Sequence, residues 1–381
     1  MEKVKTGIDN INEYIGIFKD KRIGLITNNT GYNSEFKSTI DILRKSTNLT
    51  TLYSPEHGIR GDIQAGKEVE SYIDLKTGIK VYSLYGKNKR PSKEILKNVD
   101  VLTFDIQDVG ARFYTYLYTM SYAMESCEEF NKEFVVFDRP NPINGNDVEG
   151  NILNKNYSSF VGRYPIPQRY GLTIGETAKL FNEEFLIGCK LKVIPMKNWR
   201  REMYYEATGL SFIMPSPNMP TVDTAVVYPG TCIFEGTNIS EGRGTTRPFE
   251  IIGTPWLDGF KIANIMNELK LDGVKFRPIF FTPTFSKYAG KLCEGVQIHV
   301  TDRKTYKPVK TALFLYKIIK QESKNKFQFI TFEGKKLVYG IDLLAGDSIL
   351  RKNEIDVNKI YKQWQEEVVK FKKLKKRYHL Y

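Results

Sequence analysis

The stretch VLTFDIQDVGARFYTYLYTMSYAMESCEEFNKEFVVFDRP, residues 101–140, begins and ends on short apolar runs, VLTFDI (101–106) and FVVFD (134–138), with helical spacing over 114–130 between them. Both runs are continuously apolar rather than alternating, which is how strands buried on both faces read. Two such strands joined by a helix predict a parallel pair in an α/β sheet. Each strand runs into a polar, Gly- or Pro-marked loop, DIQDVGARFYTY (105–116) and DRPNPING (138–145).

The same alternation extends outward. RIGLIT (22–27), LTTLYS (49–54), KVYSL (80–84) and KLKVIPM (190–196) read as further strands, and 35–46 and 173–185 as further helices. Thr173 followed by Glu176 predicts a capping box at the last of these. The whole predicts a doubly wound α/β domain over 1–205. From 206 the texture changes: MPSPNMPTVDTAVVYPGT (214–231) is Pro-rich and reads as irregular, and EGTNISEGRGTTRPFEIIGTP (235–255) as a glycine-rich loop. GVQIHVTD (295–302) alternates like a strand, while 311–323 and 364–378 read as helices. Residues 206–381 are therefore expected to form a second, α+β domain packed on the first.

Composition limits the function classes. The chain has 381 residues, too many for one ordinary core, and 41% hydrophobic residues with 13% aromatics exclude general disorder. No apolar run approaches the roughly 18–20 residues that span a membrane. The start, MEKVKTGIDN, lacks the apolar core of a signal peptide, which fits a cytoplasmic protein or a secreted one whose signal has been trimmed. Cys127, Cys189, Cys232 and Cys293 form no CxxC pair, so neither structural zinc nor a disulfide framework is expected. The net charge is +13, densest in KFKKLKKRYHLY (370–381). Without a nucleic-acid-binding motif beside it, that tail reads as a solvated helix face.

Position is the informative feature of the polar residues. TNNTG (27–31), SPEHG (54–58), LYG (84–86), DIQDVGARFYTY and DRPNPING each follow a strand. Ligands of open parallel sheets bind at those carboxyl ends, so Glu56, His57, Asp105, Asp108, Arg112 and Tyr116 are expected to converge. Each also has a structural reading; Asp105 could bond local amides, and Asp108 and Arg112 could form a local ion pair. The second half adds Asn238, Glu241, Arg243 and Arg247 in its glycine-rich loop. GRGTTR (242–247) matches neither a dinucleotide nor a P-loop fingerprint. GxSxG is absent, which argues against a serine triad. Metal-assisted hydrolysis through Glu56, His57, Asp105 and Asp108 is one alternative. Glycoside hydrolysis needs little beyond carboxyls, and the surrounding Tyr, Asn and Arg suit a sugar.

The runs SPEHGIRGD (54–62), FDIQDVGARFYTY (104–116), DRPNPING, PSPNMP (215–220), YPGT (228–231) and EGTNISEGRGTTRPFE (235–250) resemble the bacterial YbbC-like family of exo-acting β-N-acetylmuramidases, NamZ. The resemblance runs nearly end to end, from GIDN (7–10) to WQEE (364–367). It implies a Rossmann-like domain, a smaller partner domain and an active cleft between them. It further implies release of terminal N-acetylmuramic acid from the non-reducing end of peptidoglycan fragments, with no cofactor or metal. On this reading Glu56 is the catalytic acid, and His57, Asp105, Asp108 and Glu241 are candidates for its partner. Arg60, Arg112, Arg243 and Arg247 are candidate readers of the lactyl carboxylate. Asn218 and Asn238 would hold hydroxyl or acetamido groups, and Tyr116 would line the site. A metal-dependent hydrolase of a sugar phosphate or ester, or a non-catalytic muropeptide-binding protein, are the alternatives.

Overall fold

A computed structural model describes residues 2–381 except 57, 61–70, 87–88, 334–336 and 353. His57 thus lies outside the described residues. The first half carries strands β1 (Arg22–Thr27), β2 (Asn48–Ser54), β3 (Tyr72–Ile73), β4 (Lys80–Ser83), β5 (Val101–Asp105), β6 (Glu133–Phe137) and β7 (Lys190–Ile194). They form one sheet in the order β3-β4-β2-β1-β5-β6-β7, parallel throughout except for the two-residue edge strand β3. All six predicted strands are present. Only β3 was not expected, because two residues carry no period.

Helices α1 (Thr39–Ser46), α2 (Tyr116–Glu129) and α3 (Ile174–Glu184) connect the strands. The capping box of α3 forms as expected, with Thr173 accepting from the Glu176 amide and Glu176 accepting from the Thr173 amide. β5 is buried along its whole length, and helix α2 buries ten of its fourteen residues, Tyr116 to Cys127. That double burial explains the apolar reading of both elements.

Register aligns the strand ends. Thr27 pairs with Asp105, and Ser54 with Ser83. The loops that follow are locked by a buried ion pair. Asp105 is fully buried and accepts from Arg139 Nε at 2.5 Å and Nη2 at 2.9 Å. Thr39, at the start of α1, also donates to it, and Arg139 Nη2 donates to the Tyr32 carbonyl at 2.9 Å. Asp105 was a catalytic candidate; its oxygens are instead spent on tying β1, β5, β6 and α1 together.

The second half holds α4 (Val222–Thr231), β8 (Ile251–Thr254), α5 (Gly259–Glu268), β9 (Val274–Phe281), β10 (Cys293–Val300), α6 (Pro308–Ser323), β11 (Thr331–Phe332), β12 (Val338–Tyr339), α7 (Gly340–Ala345) and α8 (Val357–Lys375). The antiparallel sheet β8-β10-β9 packs against α5. The stretch 214–231 is not irregular throughout: α4 occupies its second part, capped by Thr221, with Pro229 in its last turns. A proline there removes one amide bond only, and the β-branched run misled the periodicity.

The halves are not separate cores. Val109, Ala111, Phe113 and Ile143 from the strand-end loops pack in the same cluster as α4, α5 and α6. Helix α8 crosses back: Ile360 and Trp364 sit in that cluster, whereas Val368, Phe371 and Tyr378 pack with the large sheet. Lys375, buried within the basic tail, donates to the carbonyls of Gly145 and Gly171 at 2.5 and 2.6 Å. The Tyr381 hydroxyl donates to Asp138 at 2.7 Å. Lys370, Lys372, Lys373 and Lys376 are exposed, as a solvated face requires.

Removing one partner of a buried ion pair strands the other charge. Arg139→Met should therefore destabilise the chain by about 3–5 kcal/mol in urea unfolding. Arg22→Met at the exposed pair with Asp100 should shift the urea midpoint far less than Arg139→Met, because water screens that pair.

Candidate active site

The site begins where β2 ends. Glu56 is half-buried, and the Thr115 hydroxyl donates to its Oε2 at 2.9 Å. Thr115 is the N-cap residue of α2, yet its side chain makes no cap hydrogen bond. A helix gives up a stabilising cap so that this hydroxyl can hold a carboxylate. Tyr85, after β4, stands on the other side; burial and then the charge of Glu56 push its phenol up.

Tyr114 and Tyr116 form the wall behind Glu56, their rings edge-on at 4.9 Å. Burial raises both phenols above their usual range, and the charges of Glu56 and Asp108 both add to this. The Tyr116 hydroxyl donates to the Pro215 carbonyl at 2.6 Å, and Asn29 Nδ2 to that of Met214 at 2.6 Å. These bonds bring the PSPNMP loop and Asn218, 5% exposed, over the strand ends.

Asp108 is 5% exposed. Its Oδ2 accepts from the Gly110 amide at 2.7 Å and from the Tyr170 hydroxyl. Burial nevertheless pushes its carboxyl up to about 6. Gly110 turns with φ +79°, and a Cβ there would meet Ile143 Cγ1 at 2.7 Å, so the tight loop that aims its amide at Asp108 needs glycine. Asp108 Oδ1, Asn28 Nδ2, Ser54 Oγ and Tyr114 Oη are buried and find no hydrogen-bond partner among the described residues. Four such atoms thus lie around adjacent strand ends.

The second half reaches the same wall. Tyr228 of α4 meets Tyr114 edge-on at 6.0 Å and Phe249 at 4.7 Å. Arg243 lies 5.2 Å from the Phe249 ring. Its Nε donates to Glu235 at 3.1 Å, and Nη2 bonds the same oxygen. Glu241, 2% exposed, sits between Arg243 Nε at 3.4 Å and Lys287 Nζ at 2.8 Å.

Glu56, Asp108 and Tyr116 therefore lie on or beside one strand-end loop, the loop carrying Asn218 is tied to Tyr116, and ring contacts from Tyr114 through Tyr228 and Phe249 lead on to Arg243 and Glu241. Four predicted binding residues are committed elsewhere. Arg112 is fully buried and donates to the carbonyls of Asn151, Ile166, Leu344 and Ala345 at 2.8–3.1 Å. It joins the two halves and makes no ion pair with Asp108. Arg60 pairs with Asp74 at 2.9 Å. Asn238 bonds the backbone of Lys326 and Gln328 at 2.7 and 2.9 Å. Arg247 pairs with Glu250 at 3.2 Å, in a hollow shared with His299. Among the described residues no three His, Cys, Asp or Glu side chains group as metal ligands. Asn28, Ser54, Tyr85 and Thr115 had not been singled out, although all lie in or beside loops already marked as strand ends. Tyr170 and Lys287 carry no sequence signal.

Family models described as the N-terminal and C-terminal regions of exo-beta-N-acetylmuramidase NamZ match residues 23–223 and 226–381. The chain belongs to the NamZ family. It is 52% identical to the peptidoglycan beta-N-acetylmuramidase NamZ of Bacillus subtilis, over all of this chain and 92% of that one. Two solved DUF1343 family proteins from Bacteroides fragilis share the NamZ-family fold. One superposes with TM-score 0.89 at 38% identity and the other with TM-score 0.80 at 32%; each comparison covers 100% of this chain and 99% of the other.

Asp108 gives this site a pH signature. Its carboxyl lies near 6 in the fold against a usual 3.8, so folding favours the protonated form. That contribution is present below about pH 4 and is lost as pH rises through 6. Relative to Asp108→Asn, the wild type should lose about 2 kcal/mol between pH 4 and 7 and change little above that. Urea unfolding of both proteins across that range measures it.

Proposed function

We propose that the chain is an exo-acting β-N-acetylmuramidase, with Glu56 as its general acid. The supporting observation is Glu56 itself: a carboxyl at the end of a central parallel strand, oriented by a hydroxyl that a helix has withdrawn from its own cap, in a chain of the NamZ family. The substrate is a peptidoglycan-derived glycan ending in N-acetylmuramic acid at its non-reducing end, and the reaction belongs to cell-wall turnover.

Glycosidic cleavage needs a proton for the leaving oxygen and a second group for the anomeric carbon or its water. Glu56 supplies the first. Asp108 is the second carboxyl, because it lies in the same strand-end loop as Tyr114 and Tyr116 and its Oδ1 has no partner among the described residues. Glu241 acts by holding Arg243. Tyr114 and Tyr116 keep one side of the site dry. No cofactor enters this chemistry.

Hydrolysis of a chromogenic β-N-acetylmuramide, with the β-N-acetylglucosaminide as control, tests the reading. The wild type should cleave the muramide in excess chelator, and Glu56→Gln should lower the rate by about 10²–10⁴-fold. Loss of activity in chelator would instead indicate a metal-dependent hydrolase. Tight binding of MurNAc–GlcNAc without turnover would indicate a binding protein.

A further inference from the structure

Muramic acid differs from glucosamine by a lactyl ether that ends in a carboxylate. Of the four arginines that the sequence offers for that anion, Arg112 is sealed among backbone carbonyls. Arg60 and Arg247 sit in open surface pairs, with Asp74 and with Glu250 and Asp223. Arg243 is held in one orientation by Glu235 beside the Phe249 ring. A guanidinium has five N–H donors in a fixed planar fork. Two of Arg243's go to a single oxygen of Glu235, from Nε and Nη2. Among the described residues Nη1 makes no hydrogen bond, and the end of the fork, Nη1 with the second N–H of Nη2, is left to offer two parallel donors.

The rest of the cluster keeps that end in place. Glu235 and Glu241 hold one edge, and Phe249 lies 5.2 Å from the guanidinium carbon. Lys287 cannot compete for the anion: its ammonium is bonded to the carbonyls of Phe234 at 2.8 Å and Ile239 at 3.0 Å and to Glu241 at 2.8 Å. The side chain of Arg243 is 22% exposed, enough for a ligand oxygen to reach it. Tyr228 connects it to the wall behind Glu56: its ring stands 6.0 Å from Tyr114, and the charges of Glu235 and Arg243 act on its phenol.

We infer that Arg243 is the specificity residue of this site, its free fork end binding the lactyl carboxylate in a bidentate pair while Glu235 and Glu241 hold the guanidinium in register. This rests on the muramidase reading above. A neutral amide in place of the carboxylate keeps one acceptor but loses the charge and the second acceptor, so discrimination comes from the charge-assisted pair.

The test compares the chromogenic β-N-acetylmuramide with the same glycoside carrying the lactyl group as its primary amide. Wild type should prefer the acid by about 10–100-fold in kcat/KM, the range of one charge-assisted pair. Arg243→Met should reduce that preference to within about threefold while still cleaving the amide, and Arg243→Lys should restore part of it. A preference that survives in Arg243→Met overturns the inference and leaves the muramidase reading intact. No turnover of either glycoside by wild type counts against the muramidase reading instead. Should the variants not fold, phenylglyoxal labelling of the wild type decides. Free N-acetylmuramic acid should protect Arg243 where N-acetylglucosamine does not, and equal labelling under both sugars overturns the inference.

Discussion

The buried contact between Asp105 and Arg139 is the constraint from which the site follows. Such a pair stabilises only when every remaining donor and acceptor is satisfied. Here Thr39 and the Tyr32 carbonyl complete it. The consequence is positional. The ends of β1, β5 and β6 and the start of α1 become one rigid rim, and the loops leaving that rim have little freedom. Asp108 follows Asp105 by three residues, and its Oδ2 is fixed within the same loop by the Gly110 amide. Gln107, between them, bonds the carbonyls of Asp108 and Pro140 at 2.8 and 2.7 Å, so the two polar loops brace each other.

A second constraint joins the halves. Tyr114 faces the sheet-end site with one side and Tyr228 with the other, and Arg112, two residues earlier, is clamped on carbonyls from Asn151 to Ala345. The loop 108–116 therefore holds catalytic candidates while acting as a plug in the second core. Burying a guanidinium this completely lowers its affinity for the proton, to about 10. Four backbone carbonyls accept from Nη1 and Nη2 while Nε stays unpaired among the described residues, and the contacts to Leu344 and Ala345 tie the loop 108–116 to the second half.

Thr115 does not cap its helix, and buried polar atoms of Asn28, Ser54, Asp108 and Tyr114 go unpaired among the described residues. Such departures are not confined to the candidate site: α6 and α7 also lack a side-chain cap, and Glu149, Trp199 and Tyr306 hold unpaired buried atoms too. What distinguishes the strand ends is that four such atoms gather beside two carboxyls.

The residues alone determined the parallel sheet, because strands buried on both faces must be apolar along their length and helices between them must keep a 3.6-residue period. They also pointed to the carboxyl ends of those strands as the candidate site, since the polar loops collect there. Tertiary structure decided which of those polar residues are committed to structural partners. Asp105 and Asp108 sit three positions apart in one loop, yet Arg139, distant in sequence, neutralises the first, while the second keeps an unpaired oxygen. Arg112 and Arg243 are the same residue type in similar Gly-marked loops. One is surrounded by carbonyls from across the chain; the other meets carboxylates on one edge only. Sequence spacing does not encode such partners, because they arrive from 34 residues away for Asp105 and from as many as 233 for Arg112, or from a neighbouring turn whose direction only packing sets.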